Sequence, residues 1–298
     1  MPQRVDSVEI LDHVVKKRLS HRALEGWRMI YSFEGRIKRP SVPRTIALQK
    51  LGDGTWLGLF ERILGDYPNM ETADIALDGY CELQAAARYE DATFARIVRE
   101  RCKNEVCRIR LDFGHRSGDV LDDVEPKVLS WAHCSSTDEL KQRAAEACDL
   151  LGHFECEKYP GFNSVTPVHG DLHWNNILID RARNPIFLDW DDSYLGIVGM
   201  GYDELLLERP VSNLSTQLRR LEAEFSRNLG SPTGAIAHCV ALGAIVRMAQ
   251  LRIKLIELGR PRQRHQLYAI AWLSRLRDIL EYTHRGDVRT DPESTVDR

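Results

Sequence analysis

The 298-residue sequence lacks paired cysteines, a glycine-rich phosphate fingerprint, a long uninterrupted apolar run and any strong net charge. Its seven cysteines, Cys81, Cys102, Cys107, Cys134, Cys148, Cys156 and Cys239, form an odd set with no CxxC spacing. That excludes a disulfide framework and a zinc ribbon, and it points to a reducing compartment. The first residues, "MPQRVDSVEILDHVVKKRLSH", mix charges without a continuous apolar stretch and do not read as a signal peptide. The longest apolar run, "TGAIAHCVALGAIV", is interrupted by His238 and followed by Arg247. It reads as too short to cross a bilayer and predicts a buried helix. A net charge of −3 supplies no field that draws the chain to nucleic acid or anionic lipid. The expectation is a cytoplasmic protein with neither nucleic acid nor membrane as partner. What remains is an ordinary globular composition, at a length that fits one large domain or two lobes.

Along the chain, residues 7–20 predict an amphipathic helix, followed by β-like runs "WRMIYSF", "RTIALQKL" and "TWLGLFERIL". The last two flank "GDG", a hairpin turn. Apolar residues at helical spacing predict one long helix from about Thr72 to Arg101, and "VCRIRLDF" and "PKVLSWA" predict two further strands. Ser136 or Thr137, ahead of acids in a first turn, caps the helix "STDELKQRAAEACDLLGHFECE". "NILID", the turn "RARN" and "PIFLDW" form a second hairpin, and from Tyr202 onward the pattern is almost wholly helical. This order predicts an α+β fold of two lobes. Residues 1–133 make a β-rich nucleotide-binding lobe crossed by one long helix, and residues 134–298 a helical catalytic and substrate-binding lobe. Ligands favour such domain interfaces.

The stretch "PVHGDLHWNNILID", residues 167–180, crowds His, Asp, His and two Asn into eight positions between apolar runs. A hairpin returns its second strand beside its first, so Asp189 at the end of "PIFLDW" is expected near Asn176, thirteen residues earlier. A carboxylate and an amide oxygen facing each other suit a hard cation shared with phosphates, above all Mg²⁺. Asp171 is then left to accept a proton or hydrogen bond from an attacking hydroxyl.

The series His169, Gly170, Asp171, Leu172, His173, Trp174, Asn175, Asn176 and then Asp189 has the protein-kinase layout H-x-D-x-x-x-x-N followed by a metal-binding Asp. With Gly after the His, and with "FLDWDDSYLG" leading to "GYDEL", it resembles the aminoglycoside phosphotransferase and choline kinase superfamily. Bacterial stress-response kinases are a near variant. The resemblance is specific over residues 168–205 and architectural elsewhere. It implies a protein-kinase-like fold and an ATP- or GTP- and Mg²⁺-dependent transfer to a hydroxyl. Asp171 is implied as the base, Asn176 and Asp189 as metal ligands, His169 as a brace of the catalytic loop, and Asp203 as the cap of the next helix. Trp174 and Asn175 stand where the superfamily has Pro-Gly, and a Trp there either packs or stacks on substrate.

A kinase also needs a cover for the phosphates and a strand Lys paired with a helical Glu. No G-x-G-x-x-G is present. Lys50 in "IALQKL" is the candidate for contacting the phosphates, with Lys38 and Arg62 behind it and Glu82 or Glu90 as partner. His173 reads as a phosphate contact or a solvated loop residue, and Asp191 and Asp192 as a solvated turn. A two-metal phosphoesterase reading of "GDLH" fails, because the downstream cluster that class needs is missing. Only twelve residues separate Asp189 from Tyr202, too short a segment to position a peptide, so a small hydroxyl substrate is preferred over a protein Ser or Thr. A nucleotide-binding pseudokinase is the remaining alternative.

Overall fold

The computed structural model describes residues 8–37, 42–113, 124–208, 214–257 and 263–288. Ten strands and nine α-helices are described, and the chain divides into two compact units. The first comprises residues 1–90 and 164–201, the second residues 91–163 and 202–298. These units do not coincide with lobes cut at residue 133, because the polar loop and its hairpin fold with the N-terminal residues.

The first unit opens with β1 (Val8–Ile10) and β2 (Val14–Leu19), where helical periodicity had predicted a helix. Val8, Ile10, Val14 and Val15 are β-branched, and β2 pairs antiparallel with β4 (Trp56–Glu61) along its whole length, which decides for the strand. Helix α1 (His21–Tyr31) replaces the strand expected at "WRMIYSF". Ser20 caps it, accepting the Ala23 N–H at 3.1 Å, and Ala23, Leu24, Trp27 and Ile30 bury one face. Strand β3 (Thr45–Lys50) and β4 form the expected hairpin, giving a four-stranded sheet in the order β1-β2-β4-β3.

The expected single helix over 72–101 is two. Helix α2 (Ala73–Ala87) ends where Arg88 turns extended, and β6 (Tyr89–Glu90) follows β5 (Gly65–Asp66) as a short strand. Two small sheets then surround the polar loop. One has the order β10-β7-β6, with β7 (Ser164–Val168) and β10 (Tyr194–Ile197); the other is β5-β8-β9, with β8 (Ile177–Asp180) and β9 (Pro185–Phe187). The hairpin read from "NILID" and "PIFLDW" is thus present.

The second unit is helical. Helix α3 (Ala92–Phe113) absorbs "VCRIRLDF", and "PKVLSWA" becomes α4 (Pro126–Trp131), with Pro in the first turn where its missing N–H costs nothing. Both were expected as strands; their β-branched residues are outweighed by helix-helix packing. Helix α5 (Thr137–Gly152) begins as expected, with Ser136 accepting the Glu139 N–H at 3.1 Å. Helices α6 (Asp203–Glu208), α7 (Leu214–Leu229), α8 (Ala235–Glu257) and α9 (Gln263–Val288) complete the unit. Within α8, residues 235–253 are long and apolar enough to cross a membrane, contrary to the sequence expectation. That stretch is 72% buried inside the protein, as a core helix is. All seven cysteines are free, and six are buried.

Candidate functional site

Strand β7 delivers the loop. All five of its residues are buried, and at its end the His169 N–H donates to the Tyr80 hydroxyl oxygen at 3.0 Å. His169 itself is fully buried, its Nε2 lying 2.5 Å from the Leu188 carbonyl oxygen and its ring 4.6 Å from that of Trp190. Burial pushes the imidazole down to about 4, so it is neutral and donates that proton to Leu188. His169 therefore ties the loop to the segment that carries Asp189, as a brace does.

A single 3₁₀ turn, Trp174–Asn176, ends the loop. The Asn176 amide nitrogen donates to the Asp171 carbonyl at 2.9 Å, and its backbone carbonyl accepts the Leu188 N–H at 2.8 Å. The first bond commits the nitrogen end of the amide, so Oδ1 is the end left to meet a cation. The second places the Asp189 segment alongside, as the hairpin argument required. Asp189 sits in the left-handed region at φ 59°, ψ 62°, a conformation rare outside glycine and typical of positions fixed by their surroundings. The Asp171 carboxylate is about one-third exposed and lies 3.7 Å from His173 Nε2.

The cation of the site is Lys17, which sequence reasoning missed. It is buried on β2, with Nζ 2.6 Å from Asp189 Oδ1 and 2.7 Å from Asp191 Oδ2. Burial lowers the Lys17 ammonium, but the two carboxylates more than reverse this, and it is raised. For Asp189, burial raises the carboxyl, and the Lys17 charge and hydrogen bond outweigh it; the group stays below its ordinary value. Asp191 goes the other way, raised by burial and by the Asp189 charge against the pull of Lys17. One ammonium thus serves two carboxylates. The signal lies in "VVKKRL", a β-branched pair followed by two lysines just ahead of the Ser20 helix cap, a pattern that fits a helix as well as a strand.

Lys50, the expected phosphate contact, lies exposed on β3, opposite Trp56 beside the hairpin turn, and has no part in this cluster. Arg62 reaches the Leu11 and Asp12 carbonyls instead, and Lys38 lies outside the described residues. Glu90 accepts a hydrogen bond from Ser164, Glu82 is exposed on α2, and neither is paired with Lys17. Trp174 is 6% exposed, so it packs rather than presenting a ring to a ligand. Asp191 is part of the cluster rather than a solvated turn, while Asp192 pairs with Arg22 at 3.1 Å. Asp203 is buried at the start of α6, in the second unit.

The oxygen donors Asn176 and Asp189 fit Mg²⁺, which takes one or two protein ligands and completes its shell with phosphate and water. Among the described residues no group of three or more His, Cys, Asp or Glu is arranged to hold a metal, so an all-protein cage is absent there. A cavity of about 690 Å³ occurs in the second unit, lined by Phe154, Tyr159, Glu222, His238 and Tyr282 among others, and Lys17, Asp171, Asn176, Asp189 and Asp191 do not line it.

Residues 32–200, more than half of the chain, match the phosphotransferase enzyme family (APH). No curated protein matches the chain. Its fold is similar to that of the spectinomycin phosphotransferase APH(9)-Ia, solved with ADP and spectinomycin, at TM-score 0.54 and 12% identity over 94% of this chain and 88% of that one. It is also similar to an aminoglycoside phosphotransferase from Alicyclobacillus acidocaldarius, at 0.51 and 14% over 96% and 94%. A thermostable variant of APH(4)-Ia, in a ternary complex with AMP-PNP and hygromycin B, gives 0.51 and 16% over 92% and 88%. Identities this low bear on the fold alone, but with the family match the chain belongs to the phosphotransferase enzyme family, as an α+β, protein-kinase-like phosphotransferase with an alcohol group as acceptor.

Proposed function

We propose that the protein transfers the γ-phosphate of ATP or GTP to a hydroxyl of a small molecule in the cytoplasm. The observation that carries this reading is the Lys17–Asp189 contact of 2.6 Å, which sets a buried cation beside the metal carboxylate, as nucleotide phosphates need. Asn176 and Asp189 would hold Mg²⁺, which when bound supplies charge to neutralise the phosphate oxygens. Lys17 offers its ammonium to the same phosphates. Its sheet face supports a nucleotide base: Val8, Lys17, Gly58 and Leu48 stand in one row across the strands, with Val15 beside them. Val8 and Leu48 are exposed apolar residues on that face.

Asp171 is the base of this proposal. The acceptor oxygen attacks the γ-phosphorus, its proton passes to the Asp171 carboxylate, and the bond to the bridging oxygen of the departing diphosphate breaks. The similar enzymes solved with spectinomycin or hygromycin B favour a polyhydroxylated small molecule as acceptor. The test is a screen of sugars, aminocyclitols and amino alcohols with Mg²⁺ and ATP or GTP, following phosphorylated product by mass. Transfer to at least one such compound is expected; nucleotide binding without transfer to any of them, or transfer to protein Ser or Thr alone, would overturn the proposal.

A further inference from the structure

Asp191 has a second partner besides Lys17. Its Oδ1 accepts the indole N–H of Trp27 at 2.8 Å, while its Oδ2 holds Lys17 at 2.7 Å. Trp27 lies on α1, with its ring 4.4 Å from Phe60 and 5.8 Å from Tyr31, so the indole is packed against two further rings. Helix α1 is itself pressed onto the Asp191 segment. A Cβ built at Gly26 would come within 2.3 Å of the Trp190 carbonyl oxygen and 2.6 Å of Ser193 Oγ, an approach only glycine permits. Arg22, one turn earlier, adds an exposed ion pair to Asp192.

No carboxylate of α1 reaches Lys17 among the described residues; Glu25, its acidic residue, is paired with Arg28 at 3.0 Å. We infer that Asp191, held from behind by the Trp27 indole, positions the Lys17 ammonium in the nucleotide site, so that α1 acts on Lys17 through a Trp–Asp relay. This deepens the reading of Lys17 given above and rests on it. Asp189 has competing duties, because a carboxylate offered to a metal ion holds a lysine less firmly. Asp191 is less exposed than Asp189, 19% against 44%, and its two oxygens are divided between Lys17 and Trp27. It keeps Lys17 in place when Asp189 turns to another ligand. Trp27 and Asp191 are positioning residues here, touching the ammonium or each other and not the substrate.

The test is a set of nucleotide affinities measured by titration with a non-hydrolysable ATP analogue and Mg²⁺. Trp27→Phe keeps the ring contacts but removes the N–H. It is expected to weaken binding roughly 3- to 10-fold, less than the whole worth of a hydrogen bond to a charged group, because the effect reaches the nucleotide only through Lys17. Asp191→Asn should weaken it at least as much, and Arg22→Ala should leave it unchanged. Asp191→Glu should recover part of the loss. In the Lys17→Met background, Trp27→Phe should have no further effect, because it acts through Lys17. A Trp27→Phe effect of equal size in both backgrounds would overturn the relay and leave a merely structural Trp27, as would full affinity in Trp27→Phe. If Lys17→Met itself retains full affinity, the nucleotide role of Lys17 fails first.

Discussion

Gly170 lies against the carbonyl of Asp192: a Cβ built on it would stand 2.1 Å from that oxygen and 2.8 Å from its carbon. The residue also has φ +80°, where side chains are disfavoured. The loop carrying Asp171 and the segment carrying Asp189 are therefore packed backbone to backbone. Gly170→Ala is expected to destabilise the protein by on the order of 2–3 kcal/mol through backbone strain and displacement of one segment. It should also reduce transfer more than a surface Gly54→Ala change of similar φ, because Gly54 has open space around it. Thermal unfolding and turnover on the two variants check this; an unperturbed Gly170→Ala would mean that the two segments separate freely.

Lys17 and Lys50 provide a direct comparison of two strands. Lys17→Met should cut affinity for the Mg²⁺–nucleotide roughly 10-fold or more, since it removes the buried cation beside Asp189. Lys50→Met should leave affinity unchanged, because Lys50 is exposed at the far end of β3. Equal losses in the two variants, or a loss in Lys50→Met alone, would return the phosphate contact to β3.

The buried histidines make stability depend on pH in a defined direction. His169 and His238 are both pushed down to about 4 by burial, from an ordinary 6.5. The unfolded chain then binds more protons than the folded one between those values, so stability rises with pH through that window. Acidification from pH 6.5 toward 4 should lower the unfolding midpoint, each histidine accounting for at most about 3 kcal/mol. Asp189, held below the ordinary carboxylate value, contributes stability that is lost only at still lower pH. Unfolding monitored at pH 7.5, 6 and 5 tests this, and a midpoint that stays level across the series would show that neither histidine is buried neutral.

The polar loop was legible because its spacing is local. Asp171 and Asn176 lie five residues apart on one turn, and Asp189 is returned by a hairpin whose two strands are each a short apolar run. The β3–β4 hairpin and the Ser136 cap were legible for the same reason. Lys17 was not, since its role depends on pairing β2 with β4 and on meeting Asp189 and, through Trp27 of α1, Asp191, contacts that span 172 and 164 residues of sequence. The valines at 14 and 15 fit a helix face as well as a strand until β4 is beside them. The same ambiguity turned "VCRIRLDF" into a strand on paper and a helix in the fold. Charged residues near Asp189 looked like a solvated turn because burial by a distant helix leaves no mark on local composition.

The proposed function gives the two carboxylates of the site separate work, and on that proposal their amides should fail differently. Asp189→Asn removes the carboxylate that faces Lys17 and would hold the metal, so Mg²⁺-dependent nucleotide binding and transfer should fall together. Asp171 lies apart from Lys17, and its carbonyl, not its carboxylate, is what secures the Asn176 amide. Asp171→Asn keeps that backbone contact and the shape of the loop while losing the proton acceptor. Nucleotide affinity should therefore stay within about twofold, while transfer to the acceptor falls by ~10²–10⁴, the usual size of a general-base contribution. A slow residual hydrolysis of nucleotide is expected to survive, since positioning and charge supply most of phosphoryl-transfer catalysis. Calorimetric nucleotide affinities alongside product mass measurements separate the two effects. Full transferase activity in Asp171→Asn would remove the base from this loop, and loss of nucleotide binding in the same variant would assign Asp171 to the metal instead.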